Sequence, residues 1–456
     1  MPDRNSSVYM PDTIIAPASA PGRSAVALVR MSGPHALAVL KSVFQPKNPQ
    51  RVWKPWQLRV GAIVDASGRP IDTGMAVWMP APNTQTGEEV AEISCHGSPL
   101  IVELLLKAAL AHGARLAEPG EFTRRAFLNG KIDLSEAEAV SDIVASETEA
   151  SLAAAQRQLS GELSKIINDM RENLIDIAAE IEASLDFADD DVPPVDAEKL
   201  KQSLNQTSGE IADLLRQAIR GRRLREGARV VLVGRANVGK SSLFNALVGA
   251  ERAITTPHPG TTRDTIEARL DLQGLPVTLI DTAGIRESPE AIEQYGIERT
   301  WQEIEQADLI LLVLDRSMPL VDDDQTLLEK LRGRMVQGVG NKSDLPPAWQ
   351  DEASWLSVSA QTGAGLRDLE GAICQSLAGE GALSEGALVS NLRHIQALEQ
   401  AAASLESARD ILANPQQLEL AAADVNHALA HLNAIIGADV EDEILNRIFA
   451  RFCLGK

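Results

Sequence analysis

Aromatic residues are scarce in this 456-residue chain, with seven Phe, six Trp and two Tyr making up 3% of it. Proteins that read RNA by stacking bases need several such rings on one surface, so a base-stacking reader is not expected. Basic residues are also in deficit: 43 Lys and Arg face 64 Asp and Glu, a formal net charge of −21. That is the wrong overall sign for gripping a phosphate backbone unaided. The three cysteines, Cys95, Cys374 and Cys453, form neither a paired framework nor a metal-like spacing, which fits a reducing cytoplasm. No signal peptide and no apolar run of about 18 residues is present, so membrane insertion is not expected. The 44% hydrophobic content supports real cores, and the length suggests about three domains.

What is present centres on Gly234 to Ser242 (GRANVGKSS). Ala228 to Val233 before it is a β-branched apolar run that reads as a buried parallel strand, and Ser242 to Ala250 after it reads as a helix. Strand, G-x-x-x-x-G-K-S and helix together are the context of a phosphate-binding loop. Backbone N–H groups from Asn237, Val238 and Gly239 onward would wrap the phosphates at the helix N-terminus. Lys240 would reach the β- and γ-phosphates, the Ser241 hydroxyl would serve Mg²⁺, and Ser242 would complete the nucleotide contacts. A second apolar strand, Leu275 to Ile280, runs into Asp281, Thr282, Ala283 and Gly284, where Asp281 would join the Mg²⁺ shell and the Gly284 N–H would face the γ-phosphate.

The base is decided by Asn341-Lys342-Ser343-Asp344, after the strand-like Leu309 to Leu314 and Met335 to Gly340. An Asp344 carboxylate accepts hydrogen bonds from both N1–H and the 2-amino group of guanine, whereas adenine offers neither donor. Asn341 would tie this loop to the phosphate loop, the Lys342 stem would cover the ring, and Ser359 and Ala360 would offer a backbone N–H to guanine O6. Gly338 and Gly340 weaken the strand before Asn341, so a less rigid base loop is expected. Ile285 occupies the position where Ras-like enzymes carry a water-orienting Gln, so hydrolysis must be organised differently.

The flanks read more coarsely. Up to about Glu118, strand-like stretches mix with helical ones, so this segment is α/β or α+β. Leu159, Leu163, Ile166, Met170, Leu174, Ile177, Ile181 and Leu185 mark one side of a long helix. Phe187 to Pro194 breaks it, and Glu198 to Ile219 is helical again. Helical patterning returns from Leu388, and the two helical stretches are expected to pack together around an inserted nucleotide domain. The dense basic clusters, Arg124-Arg125 and Arg220 to Arg225, read equally as solvated faces or as RNA contacts.

Beyond the phosphate loop, Gly260-Thr261-Thr262-Arg263-Asp264 is a narrow pattern; with Asn237 it resembles GTPases that use bound potassium in place of an arginine finger. Asp12 to Gly33, Glu88 to Pro99, Pro119 to Ala137 and the terminal Phe452-Cys-Leu-Gly-Lys456 resemble the MnmE (TrmE) family of tRNA modification GTPases over essentially the whole chain. This resemblance implies a tetrahydrofolate-binding and dimerisation domain at 1–128, a helical domain at 129–222 and 385–456, and a Ras-like G domain at 226–379. It implies folate contacts at Arg30, Glu92, Lys131 and Lys456, with 5,10-methylene- or 5-formyltetrahydrofolate as the one-carbon source. Potassium ligands would be Asn237, Thr256, His258 and Thr261, and Thr262 would join Ser241 on Mg²⁺. Pro257, Pro259 and Gly260 would complete the nucleotide-binding switch. Glu293 matches a catalytic glutamate, Arg263 and Arg286 match switch arginines, and Cys453 invites a nucleophilic reading against that of an inert thiol.

The implied activity is potassium-activated GTP hydrolysis in the cytoplasm. It would drive addition of a (carboxymethyl)aminomethyl group to C5 of wobble uridine 34. The implied partners are tRNA, a second copy of the chain, and an FAD- and NADH-using subunit in an α2β2 complex. An RNA-binding assembly or regulatory GTPase without modifying activity is the alternative, and a folate enzyme with a G domain as sensor is a second rival.

Overall fold

A computed structural model describes residues 12–186, 196–252, 266–282, 293–349, 355–379, 387–412, 417–440 and 442–456. By contact density it divides into two units, one of residues up to Ser141 with Ile436–Lys456, the other Asp142–Ile435.

The first unit holds β1 (Thr13–Pro17), β2 (Ser24–Ser32), α1 (Ala36–Val43), β3 (Phe44–Pro46), β4 (Arg59–Val64), β5 (Pro70–Met79), β6 (Val90–Gly97), α2 (Pro99–Ala111), β7 (Ala114–Leu116), α3 (Glu121–Leu128) and most of α4 (Leu134–Ala145). Its sheet runs β3-β4-β5-β6-β2-β1-β7, with only β1 and β7 parallel. Strand side chains alternate between faces. Ala27, Val29 and Met31 of β2 and Ala91, Ile93 and Cys95 of β6 pack with Val39, Leu40 and Leu105 of α1 and α2. Arg30 and Glu92 therefore stand on the opposite face, where Ile14, Ala16 and Phe122 form a smaller buried cluster. Beneath that face Arg125, 1% exposed, bonds Asp12, Glu88 and Glu121. Burial raises the Glu121 carboxyl, but hydrogen bonds from Arg115, the Glu118 N–H and Arg125 outweigh it and hold the pKa below the usual range.

The second unit holds α5 (Glu149–Leu159), α6 (Glu162–Asp186), α7 (Ala197–Glu226), β8 (Ala228–Val233), α8 (Lys240–Arg252), β9 (Ile266–Leu272), β10 (Leu275–Asp281), α9 (Glu293–Gln306), β11 (Leu309–Asp315), α10 (Asp322–Lys330), β12 (Val336–Asn341), β13 (Leu356–Ser357), α11 (Leu366–Ala378), α12 (Leu392–Ile411) and nearly all of α13 (Leu418–Ile436). The sheet order is β13-β12-β11-β8-β10-β9, parallel except where β9 meets β10. Both faces are covered: Val230 and Leu232 pack with Leu243 and Ile373 on one side, and Val231 and Val233 with Ile304 and Leu331 on the other. This explains why β8 and β11 are apolar without alternation.

Three expectations need correction. The long helix through Leu159 and Leu185 is two, α5 and α6, parted at Gly161 with φ 81; Ile167 rather than Ile166 is buried. Either isoleucine keeps the helical phase, and packing selects one. The helical stretch expected to end at Ile219 continues as α7 to Glu226, so the arginines 220–225 form its last turns. There Arg222, Arg223 and Arg225 pair with Glu226, Asp308 and Asp142. Gly338 does not simply loosen β12: a Cβ there would lie 2.6 Å from the Trp355 ring, so the glycine makes room for the indole.

Residues 436–456, although they end a helical stretch in the sequence, group with the first unit. Leu445 and Phe449 of α14 (Asp442–Phe449) and Phe452 bury against Leu134 and Ala137. Among the described residues no helix is long and apolar enough to cross a membrane.

Candidate GTP site and sheet-face site

Strand order reverses at β8, with β10 on one side and β11 on the other. In an open α/β sheet that switch point opens a crevice at the strands' carboxyl ends. The loop Gly234–Gly239 leaves β8 into it. Asn237 and Gly239 both adopt positive φ, 63 and 97, and a Cβ at Gly239 would lie 2.2 Å from Asn341 Nδ2. Lys240 is 6% exposed; its Nζ donates to the Gly234 and Arg235 carbonyls at 2.9 and 2.7 Å. Asp281 and Thr282 are buried at the end of β10, the Thr282 hydroxyl donating to Leu232 O. Ser241 and Ser242 are exposed at the head of α8.

The base loop is stitched to this loop by side chains. Asn341 Nδ2 donates to Val238 O at 2.9 Å, and its Oδ1 accepts from the Ala360 N–H at 3.1 Å. Lys342 Nζ donates to Asn237 O at 3.1 Å and to Asp315 Oδ2 at 2.6 Å. Asp344 stays exposed, one oxygen accepting from Ser359 Oγ at 2.5 Å. The structure thus gathers Asn237, Val238, Gly239, Lys240, Asn341, Lys342, Asp344, Ser359 and Ala360 at one edge of the sheet. Beside the loop lies a cavity of about 640 Å³ lined by Lys240, Thr282, Trp301 and Leu327. Thr256 to Arg263, Ala283, Gly284 and Arg286 lie outside the described residues. Glu293 opens α9, but its side chain also lies outside them.

Asp315 went unnoticed in the sequence, although an acidic residue ending a buried apolar strand at the carboxyl edge of a parallel sheet was the available signal. Burial raises its pKa, but hydrogen bonds from Lys342 and Ser317 outweigh that and lower it, so a carboxylate faces the Lys342 ammonium.

In the first unit, Arg30 and Glu92 are directly opposite on β2 and β6 and bond at 2.7 Å, each about one-fifth exposed. Arg30 also donates to Gln85 and lies 5.9 Å from the Phe122 ring. Lys131 is exposed and runs along Gly87 of the same 84–88 loop. Lys456 is placed differently: its Nζ donates to Val140 O at 3.3 Å, and its carbonyl accepts from the Phe122 N–H. Phe122 is what it shares with Arg30. Burial lowers the Lys456 pKa. Cys453 is exposed, whereas Cys95 and Cys374 are buried, with burial pushing Cys374 up to about 11. Of the basic clusters, Arg125 is buried and committed to carboxylates, so it is not an RNA contact.

A parallel sheet with a lysine-bearing loop at its switch point and an Asn-Lys-x-Asp loop locked onto it defines a P-loop GTPase. A sequence model described as "GTP-binding protein TrmE N-terminus" matches residues 13–131, and one described as "MnmE helical domain" matches 134–453. The chain is 43% identical over 463 residues to the tRNA modification GTPase MnmE of Heliobacterium modesticaldum, covering 98% of this chain and 99% of that one. It is 44% identical to the MnmE of Carboxydothermus hydrogenoformans, covering 98% and 100%. This chain belongs to the MnmE family of tRNA modification GTPases.

Proposed function

We propose that this protein hydrolyses GTP with potassium as activating ion, and that the cycle serves addition of a (carboxymethyl)aminomethyl group to C5 of wobble uridine 34 in tRNA. The observation that carries the guanine-nucleotide reading is the double use of the Asn341 amide, which fixes the base loop to both Val238 and Ala360. Asp344 is thereby presented at the edge of the sheet, where its carboxylate would accept the paired donors of guanine. Asp315 and the Asn237 carbonyl hold the Lys342 ammonium in the same loop.

Of the residues assigned to the ions, Asn237, Ser241 and Asp281 are among those the structure describes. A magnesium ion would be held by nucleotide phosphates together with Ser241 and Thr262, with Asp281, buried at the end of β10, in its shell. It would offset the charge developing on the transferred phosphoryl group. Potassium favours neutral oxygens, and Asn237, exposed in the loop at φ 63, has that chemistry; Thr256, His258 and Thr261 would complete the set. Glu293 is assigned to the attacking water and Arg263 to switch organisation.

Arg30 and Glu92 fit a pterin and its anionic glutamate tail, because an ion pair about one-fifth exposed, with Arg30 over the Phe122 ring, offers both donors and an acceptor on the sheet face. Lys131 and Lys456 flank this region. The folate would supply the one-carbon unit, Cys453 is a candidate nucleophile, and an FAD- and NADH-using partner in an α2β2 complex would supply redox chemistry. We place the complex in the cytoplasm as a dimer through the first unit.

The test is GTP hydrolysis at matched ionic strength in KCl and NaCl, with tRNA and the partner added in a second arm. Faster turnover in KCl that Asn237→Ala abolishes supports the reading, whereas equal rates in both salts sink it. Glu293→Ala should lower kcat with GTP affinity kept; a parallel loss of binding would make the residue structural.

A further inference from the structure

The hairpin formed by β9 and β10 is held at its tip by the helical part of the same unit. Its turn, Gln273 and Gly274, has φ of 54 and 95, and the Thr148 hydroxyl donates to the Gly274 carbonyl at 2.8 Å. Thr148 is no chance neighbour. It is the N-cap of α5, its Oγ1 accepting from the Ser151 N–H while the Ser151 hydroxyl accepts from the Thr148 N–H. Thr148 is 6% exposed, and its hydroxyl donates and accepts at once. One residue before, Glu147 forms an ion pair with Arg269 of β9. Beside these contacts lies a cavity of about 730 Å³ lined by Ala154, Leu224, Arg225, Val277 and Thr278.

The far ends of the hairpin are Ile266 and Asp281. In sequence these directly adjoin the segment with Gly260–Asp264 and the Asp281–Gly284 motif. A strand pair transmits displacement along its length, and the cavity under it leaves space for that displacement where close packing would forbid it. Resting on the GTPase reading above, we propose that Thr148, Glu147 and Arg269 form the joint through which the nucleotide state is passed to the helices. They are positioning residues that touch no nucleotide. A change of nucleotide alters the helices only if the two nucleotides favour different placements of the hairpin, and the joint is where such a difference becomes a change at the α5 N-cap.

The test is amide hydrogen exchange on the full-length protein with GDP and with a non-hydrolysable GTP analogue. In the unsubstituted protein, amides of 149–158 should exchange at rates differing by about fivefold between the two nucleotides, the worth of one neutral hydrogen bond. Thr148→Val and Arg269→Gln should each abolish that difference while GTP turnover stays within about threefold, and Thr148→Ser, which keeps the hydroxyl, should retain it. A difference that persists in Thr148→Val, or is missing from the unsubstituted protein, would overturn the joint. A purely structural role would instead raise exchange equally with both nucleotides, and that outcome also overturns it. Failure of the unsubstituted protein to bind GTP is a separate readout and overturns the function beneath.

Discussion

Lys240 and Asn341 occupy the loop after β8 and the end of β12, each inside a motif of four to nine residues, whereas Arg30 and Glu92 stand in the middle of β2 and β6, 62 positions apart. The first site is made of strand ends: strands stop at one edge of a parallel sheet, and backbone N–H and carbonyl groups freed there face a ligand. The second is made of a sheet face, where only register and alternation bring two side chains together. Loop-built sites depend on local spacing. Face-built sites depend on which strands become neighbours.

This contrast is broken most directly at Asp344. Asp344→Asn replaces an acceptor of two donors by a donor–acceptor amide, so GTP affinity should fall by about 10⁴ while xanthosine triphosphate is gained, with folate binding unchanged. Competition binding with both nucleotides checks this, and an unchanged preference would mean that the Asn341 lock does not present Asp344 to the base.

Arg125→Met tests the other half. Removing the cation leaves Asp12, Glu88 and Glu121 together under the sheet face, at a cost of about 3–5 kcal/mol. Denaturant unfolding should show the first unit melting early while GTP turnover persists in the second. Loss of both together would show that the units do not stand independently.

Glu92→Gln is milder. It removes the charge that pairs with Arg30, and tetrahydrofolate affinity should drop about tenfold, the worth of a charge-assisted hydrogen bond. Fluorescence titration measures it, with the potassium effect on GTP hydrolysis as the unaffected control.

The smallest effect is in pH. Burial raises the Asp12 and Glu121 carboxyls, but arginine hydrogen bonds outweigh it and lower both in the folded chain. A lowered folded pKa adds stability that is present above the unfolded value, near 4, and lost as pH falls through the folded value. Stability of the first unit should therefore be flat from pH 7 to about 5 and decline below about 4. A decline beginning near pH 6 would point to other groups.

Composition and spacing alone determined a great deal. The phosphate loop, the Asn341–Asp344 tetrad and the strands at Ala228–Val233 and Leu309–Leu314 were legible because each is a contiguous run whose chemistry is local: a strand buried on both faces must be apolar throughout, and a phosphate loop needs its glycines and lysine at set intervals. Arg30, Glu92, Lys131 and Lys456 were nameable only by likeness, since nothing local distinguishes a charged residue on a sheet face from a solvated one.

Tertiary structure decided the rest. It buried Arg125 among carboxylates, paired three of the arginines at the end of α7, and cleared Gly338 for Trp355. It also grouped the terminal Phe452–Lys456 with the first unit and set Thr148 against Gly274, 126 residues away. Each of these depends on which surfaces meet across long sequence separations, and a pairing energy between distant residues has no period or spacing by which a linear sequence can announce it.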